Sequence, residues 1–558
     1  MGRTVARDRR PRWNASGVER DMAWWRLSLA GTIGATAGAL VSVVPSLVPR
    51  AALIQGLLMG VCAAVGYAIG AVVGWLIRRL RKRSEWRADR RTRFVVAFMA
   101  FIVLATAWWA GMRWQRALAD ISGVPAPDLW WGPISISSAT AVFVVLLGVG
   151  RLIRRLTAAL GRILGRVTPD VLAGGLSVVI VASAGAVLLG SLPRVVVLAL
   201  QPAFRSANAA TAPGVEPPTS DYVSGGPGSA IAWSDLGEQG RTFVAGVTST
   251  SDLEDFSGRP AREPIRVFVG VDSAGTAQAR AQLAVAELER FGAFGRAVIA
   301  VGTSAGSGTV DPGEVVPLEY IFDGDVATIS TQYSILPSFL SFAVDRPNSV
   351  AESKAVIQAV RERLLQVPAG DRPRMVVFGE SLGAYGASGA FEDLADLLRR
   401  TDGAMFQGPP NATALWRRYT DERQPGSPEH LPIYNDGRHL RWANQPQDLS
   451  SPPGPFDAPR IVYLQNSSDP VVWWSPTTIW SRPNWLAEPP ASGVLPGLPW
   501  LPVVTFIGLS GDMIDSQSVP AGHGHVYGTA PVVAWADILR PPGWSPAQTV
   551  KLQQHLGG

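Results

Sequence analysis

A chain of 558 residues, 47% hydrophobic and with a mean hydropathy of +0.16, is too apolar for an ordinary soluble protein and long enough for several domains. Its net charge of +6 is unevenly placed: residues 1–200 hold 25 Lys+Arg against 8 Asp+Glu, and the remainder holds 25 against 36. The basic residues are interleaved with membrane-length apolar runs, so membrane topology explains them better than nucleic-acid binding. The single cysteine, Cys62, excludes a disulfide framework and a Cys-based metal site.

Residues 1–26 are basic and polar. Uncharged runs follow at about 27–49, 51–77, 94–112, 129–150 and 171–193, each close to or above the ~20 residues that a helix needs to cross hydrocarbon. Five transmembrane helices are expected over 27–200, with four or six the neighbouring counts, and 27–77 suits a tight hairpin about Pro45, Pro49 and Arg50. The first run is too long for a cleaved signal peptide. Gly31, Gly34, Gly38, Gly60, Gly66 and Gly70 suit close helix packing in lipid. Arginines crowd the stretches between the second and third runs and between the fourth and fifth, as in Arg79, Arg81, Arg83, Arg91, Arg151 and Arg155. Basic loops stay cytoplasmic, so the N-terminus is expected inside and the residues after the fifth crossing outside.

Residues 201–264 are Pro-, Thr-, Gly- and Ser-rich, the composition of a linker and lead-in, either flexible or packed as irregular coil. From 265 to 558 strands alternate with helices. Strands are expected at 265–271, 297–301, 375–378, 403–407, 461–465 and 503–509, with helices at 277–291 and 351–367. That alternation predicts an α/β domain with a mostly parallel, doubly wound sheet.

The strand at 375–378 runs into Gly379-Glu380-Ser381-Leu382-Gly383 and then into Ala-, Leu- and Phe-rich sequence free of proline. Gly-x-Ser-x-Gly between a strand and a helix is the nucleophile elbow of α/β-hydrolases. Its glycines relieve crowding in a tight turn, and its serine is lifted clear of the sheet. The pattern recurs at Gly302-Thr303-Ser304-Ala305-Gly306. Ser307, Gly308, Asp311, Pro312 and Gly313 follow there and cannot carry an elbow helix, so Ser304 is expected to be a loop serine at a strand end. Glu380 is expected to face solvent or a neighbouring loop, without a chemical role.

A serine nucleophile needs an imidazole to take its proton and a carboxylate to orient the imidazole, in the chain order Ser, Asp/Glu, His. Asp469 lies in a turn after the strand at 461–465 and is the expected acid, with Asp512 and Asp515 as runners-up. Gly522-His523-Gly524-His525 follows the last expected strand. His523 is preferred as the base, with His525 as its alternate or a supporting donor. The oxyanion donors are expected to be the backbone N–H of Leu382 and one from Val271-Asp272-Ser273, taken at Asp272. No Asp/Glu/His cluster stands near the His-x-His pair, so neither a metal nor a cofactor is expected.

Taken with Gln332-Tyr333-Ser334, Gly408-Pro409-Pro410-Asn411 and Gly426-Ser427-Pro428-Glu429, the Gly-Glu-Ser-Leu-Gly and Gly-His-Gly-His motifs resemble those of the actinobacterial membrane-anchored α/β-hydrolases of family 9. The resemblance covers both the helical N-terminal region and the domain after it, and it implies a serine hydrolase fold on the membrane.

An outward-facing domain tethered to the bilayer meets lipids and envelope acyl esters at high effective concentration. An esterase or lipase acting on them is the expectation, with no nucleic-acid partner. Trp473, Trp474, Trp480, Trp485 and Trp500 fit an acyl pocket, a lipid interface or a core equally well. Acyl transfer to a sugar or lipid hydroxyl, a peptidase or amidase, and a non-catalytic scaffold with a relic hydrolase fold are the alternatives.

Overall fold

The apolar runs of the first 210 residues form five helices: α1 (Leu29–Ser42), α2 (Ala52–Leu80), α3 (Arg90–Ser122), α4 (Trp131–Leu164) and α5 (Asp170–Ala209). The computed structural model describes residues 27–80 and 90–557; the basic segment 1–26 and the centre of the first arginine-rich stretch lie outside the described residues. The chain divides into two compact units. One comprises Met1–Val44, Gln55–Arg113 and Leu129–Arg154, and the other Pro45–Ile54, Trp114–Asp128 and Arg155–Gly558.

Five helices agree with expectation, but five crossings do not. Among the described residues only Ala52–Ile77, Phe94–Ser122 and Trp131–Leu164 are long and apolar enough to span a membrane by themselves. Helix α1 has 14 residues, short of the ~20 required, because its run spends its last residues on the turn that contains Pro45 and Pro49. Helix α5 is bent by 44° between Leu188 and Gly190 and becomes a fourth span only if its two halves count as one. Pro193 lies four residues beyond the break and cannot donate to the carbonyl there.

In the first unit, α1 and α2 meet backbone to backbone. A Cβ on Gly34 would strike the Gly66 carbonyl, one on Gly38 the Cys62 carbonyl, and one on Gly70 the Ala30 carbonyl. Two Gly-x-x-x-Gly faces (Gly34/Gly38 and Gly66/Gly70) therefore oppose each other, and dispersion between backbones replaces the hydrophobic drive that lipid cannot supply. Large apolar side chains such as Ile69, Trp75, Phe98 and Phe101 are exposed, which is consistent with helices that could cross a membrane.

The second unit is built on seven strands: β1 (Ile265–Val269), β2 (Val298–Thr303), β3 (Val326–Thr331), β4 (Arg374–Glu380), β5 (Gly403–Gln407), β6 (Leu440–Ala443) and β7 (Arg460–Leu464). They form one sheet in the order β1-β3-β2-β4-β5-β7-β6, parallel at every pairing. Runs such as Val298-Ile299-Ala300-Val301 are buried because helices cover both faces. Among them are α6 (Gly237–Ala245), α7 (Ala277–Arg290), α8 (Pro312–Ile321), α9 (Arg346–Leu364) and α10 (Leu382–Gly389).

Two strands escape the sequence pattern. In β3, Thr328 and Ser330 alternate with apolar residues yet all six residues are buried, and β6 has only four residues. The strand expected at 503–509 is instead the start of a helix, α11 (Val504–Asp515). A short apolar run cannot distinguish the two, and here Met513 and Ile514 extend the helical pattern past Gly508. A further helix, α12 (Ala530–Leu539), packs on the sheet with Trp535 in the core. In the expected linker, residues 211–232 are irregular, whereas α6 and Thr250–Ser257 are helical. Arg241 of α6 ties back to the carbonyls of Asn208 and Ala210.

Candidate active site

Parallel strands release their C-terminal loops at one edge, and the register makes three of them neighbours. Glu380 of β4 pairs with Gln407 of β5, which pairs with Leu464 of β7. Ser381, Gly408 and the turn leading to Asp469 therefore leave the sheet side by side.

Ser381 occupies the turn between β4 and α10 with φ 55° and ψ −120°, a conformation that costs a non-glycine residue roughly 1–3 kcal/mol. Its N–H donates to the Gln407 carbonyl at 2.8 Å, and its own carbonyl accepts the Tyr385 N–H at 3.1 Å. Both flanking glycines are required by space. A Cβ on Gly379 would lie 2.6 Å from the Gly383 carbonyl carbon, and one on Gly383 would meet the Thr303 carbonyl. The side chain is held at the start of a helix, half-buried, as an elbow demands.

Asp469 is fully buried. Its Oδ2 accepts hydrogen bonds from His525 Nδ1 at 2.7 Å and from Tyr527 Oη at 2.6 Å, and its Oδ1 accepts the Val471 N–H at 2.8 Å. The imidazole thereby carries its proton on Nδ1 and turns Nε2 away from the acid. That Nε2 is buried without a hydrogen-bond partner, so the bond to the serine is not closed; such bonds tighten when substrate is in place. Burial pushes His525 toward the neutral form. The Asp469 charge and hydrogen bond, together with Glu380 and Asp311, outweigh it and raise the pKa to about 9. Burial, then the Asp469 charge, pushes Tyr527 well above the ordinary phenol range, so it stays a donor.

The histidine bonded to Asp469 is His525, the alternate, and not the preferred His523. Its ring is half-buried, its Nδ1 has no partner, and burial lowers its pKa. Gly524, at φ 48°, reverses the chain between the two histidines so that only His525 meets the acid. Nothing in Gly-His-Gly-His distinguishes them beforehand, because the choice is made by partners outside the motif. Asn466 Nδ2 donates to the Gly524 and Val526 carbonyls, Ser468 Oγ accepts the Gly524 N–H, and the Ser516 carbonyl accepts the His525 N–H at 2.7 Å.

The alternates for the acid are excluded by place. Asp512 and Asp515 lie on α11, where Asp512 pairs with Arg50 and Asp515 accepts the Ala51 N–H. Asp272 is also displaced: it follows β1, which β3 and β2 separate from β4. Of the two strands beside β4, β2 lies on the β1 side, and its loop is the second Gly-x-Ser-x-Gly. Ser304 is the strand-end loop serine expected, its Oγ donating to the Thr331 carbonyl at 2.7 Å. The loop nonetheless borders the elbow, since Gly383 abuts Thr303.

Three contributors were missed in the sequence. Tyr527 bonds the acid. Gly408, at φ 52°, makes room for the imidazole, because a Cβ there would lie 2.5 Å from His525 Cε1. Glu380, to which no role was given, faces inward: Gln407 Nε2 donates to its Oε1 at 3.1 Å and to Asp311 Oδ2 at 2.9 Å. Burial raises the Glu380 pKa to about 7 against the lowering effect of His525. Burial likewise keeps Glu314, near Glu380 and Asp311, well above the usual carboxylate range.

Of the indoles, Trp473 and Trp485 are core, Trp474 and Trp500 donate to Ser510 Oγ and to the Thr478 carbonyl, and Trp480 is exposed. Among the described residues no three His, Cys, Asp or Glu side chains are grouped to hold a metal ion.

A parallel sheet with a strained serine at the elbow and a His–Asp pair at the same edge defines an α/β-hydrolase fold. The α/β-hydrolase family matches residues 265–552, and the N-terminal region of the same family matches residues 43–247. The chain belongs to this family, α/β-hydrolase family 9. No curated protein and no solved structure matches it significantly.

Proposed function

We propose that the protein is a membrane-anchored serine hydrolase of esterase or lipase type that cleaves acyl esters at the outer face of the membrane. The observation that carries this reading is the 2.7 Å hydrogen bond from His525 to Asp469, beside a serine held at positive φ. In the proposed cycle Ser381 Oγ attacks the acyl carbonyl while His525 Nε2 takes its proton, and Asp469 holds the imidazolium that forms. The N–H of Leu382 and a donor from the loop after β2 meet the oxyanion, each worth roughly 10²–10³ in rate. His525 then passes its proton to the leaving alcohol and activates water against the acyl-enzyme.

The proposed site of action rests on the membrane topology that the sequence favours. Apolar helices of membrane-spanning length precede the hydrolase domain, and with α5 counted as a fourth crossing the arginine-rich connections favour a domain on the side opposite to them. Trp480 and Phe339, both exposed, suit a surface that meets lipid acyl chains.

Labelling of the full-length protein by a fluorophosphonate, abolished in Ser381→Ala, is the expected result; folded protein that does not label would remove the enzyme reading. p-Nitrophenyl esters of rising chain length, with and without an acceptor alcohol, then separate hydrolysis from acyl transfer.

A further inference from the structure

The turn between α1 and α2 is not a free connector. Residues Pro45–Ile54 belong to the same compact unit as the sheet, and Leu47 and Val48 are fully buried in its main hydrophobic core. The turn grips α11 at three points. Arg50 Nε donates to Asp512 Oδ1 at 2.8 Å, the Leu47 N–H to Asp512 Oδ2 at 2.7 Å, and the Ala51 N–H to Asp515 Oδ2 at 2.9 Å. The Arg50–Asp512 pair is almost wholly shielded from solvent. Gly508 leaves room for this contact, since a Cβ there would press on the Arg50 guanidinium at 3.0 Å.

Helix α11 bonds His525 directly and reaches Asp469 through the short helix that Asp469 caps. At its C-terminal end the Ser516 carbonyl accepts the His525 N–H at 2.7 Å. Midway, Ser510 Oγ accepts the Trp474 Nε1–H at 2.8 Å, and Trp474 packs on Phe506 with ring centroids 5.3 Å apart. Trp474 follows the short helix that Asp469 caps. A displacement of α11 therefore moves the base and the acid relative to each other, while β4 and the elbow stay with the sheet.

Resting on the Ser-His-Asp reading above, we propose that the turn Pro45–Ile54 is a positioning element of the active site: by clamping Asp512 and Asp515 it fixes α11 and so holds His525 on Asp469. Residues outside the 265–552 hydrolase match thereby complete the centre.

The test uses the full-length protein in detergent or nanodiscs and reads the second-order rate of fluorophosphonate labelling against pH, with thermal unfolding in parallel. Arg50→Met is expected to label at least tenfold more slowly well below its unfolding midpoint. Its acid limb moves to lower pH, because an imidazole released from Asp469 loses the charge that holds its proton. Arg50→Lys, whose ammonium still reaches Asp512, recovers part of the rate. Asp515→Ala, which loses one contact, slows labelling by a few-fold. Arg259→Met breaks an exposed ion pair with Asp323 and leaves rate and limb unchanged. A merely structural turn would lower the amount of protein that labels without moving the limb.

Folded Arg50→Met or Asp515→Ala that labels at the wild-type rate with an unmoved limb overturns the clamp while the hydrolase reading stands. Should Arg50→Met fail to fold, Arg50→Lys and Asp515→Ala decide by the same two readouts. Wild-type protein that does not label, or Ser381→Ala that still labels, overturns both.

Discussion

Two loops of the same motif leave adjacent strands of this sheet and do different things. After β4, Gly379-Glu380-Ser381-Leu382-Gly383 turns into a helix with its serine at φ 55° and no side-chain cap. After β2, Gly302-Thr303-Ser304-Ala305-Gly306 closes into a turn in which the Ala305 N–H meets the Thr309 carbonyl, and Ser304 spends its hydroxyl on Thr331. The five-residue pattern fixes neither outcome. What decides is the next ten residues, helix-forming in one case and Ser-Gly-Thr-Asp-Pro-rich in the other. The lesser loop is still no bystander, because it forms the wall against which Gly383 packs.

The sharpest break in the comparison is the pair of serine variants. Ser381→Ala is expected to lower fluorophosphonate labelling and ester hydrolysis by at least ~10⁴-fold. Ser304→Ala loses one buried hydrogen bond, costs about 1 kcal/mol of stability, and keeps its rate within a few-fold. Equal losses from both serines would mean that the second loop takes part in the chemistry and that the elbow has been misassigned.

The two histidines extend the contrast. His525→Ala should cost ~10³-fold or more, since it removes the ring bonded to Asp469, whereas His523→Ala should change the rate less than threefold. Rate measurements on both variants at one pH, above pH 9, suffice. Next in size is Gly408→Ala. Its Cβ would enter the space of the imidazole at a residue with φ 52°, and a misplacement of this kind costs roughly 10²-fold. An unchanged rate would show that the ring has room to retreat.

These cases also mark how far the sequence can be read. The elbow turn, the strand-end turn of Asp469 and the α/β alternation are local patterns of glycine, burial and period, and they are legible at Ser381, Asp469 and in strands such as β2 and β5. The loop that reaches Asp469 is legible as a pair of histidines, but not which one, because the selection is made outside the motif, by Ser516 and by Asn466 and Ser468 more than fifty residues earlier. Asp272 follows a strand distant from the elbow because strand order is a tertiary fact: β3 is inserted between β1 and β2, and its Thr/Ser alternation hides it. The short apolar run that opens α11 fits a strand as well as a helix, and the strand reading puts Asp512 and Asp515 on a loop beyond it. Their partner, the turn at Arg50, lies more than 450 residues earlier.

The smallest expected effect concerns the second residue of each motif, just before the serine. Thr303 Oγ1 hydrogen-bonds Ser353 Oγ at 2.8 Å and carries no charge toward the site. Glu380 is bonded by Gln407 and lies with Asp311 and Asp469 in the field of His525. Negative charge there favours the imidazolium, and only the neutral ring accepts the serine proton, so these carboxylates delay the rise of activity to higher pH. Glu380→Gln keeps an acceptor for Gln407 and removes one charge. The acid limb of the labelling rate should then fall by roughly half to one pH unit, so that the variant outpaces wild type on the rising part of the profile while the alkaline plateau is nearly unchanged. Thr303→Val, at the equivalent position, should leave the limb where it is. A Glu380→Gln limb that stays in place, or moves upward, would mean that the Glu380 carboxyl is already neutral where His525 titrates.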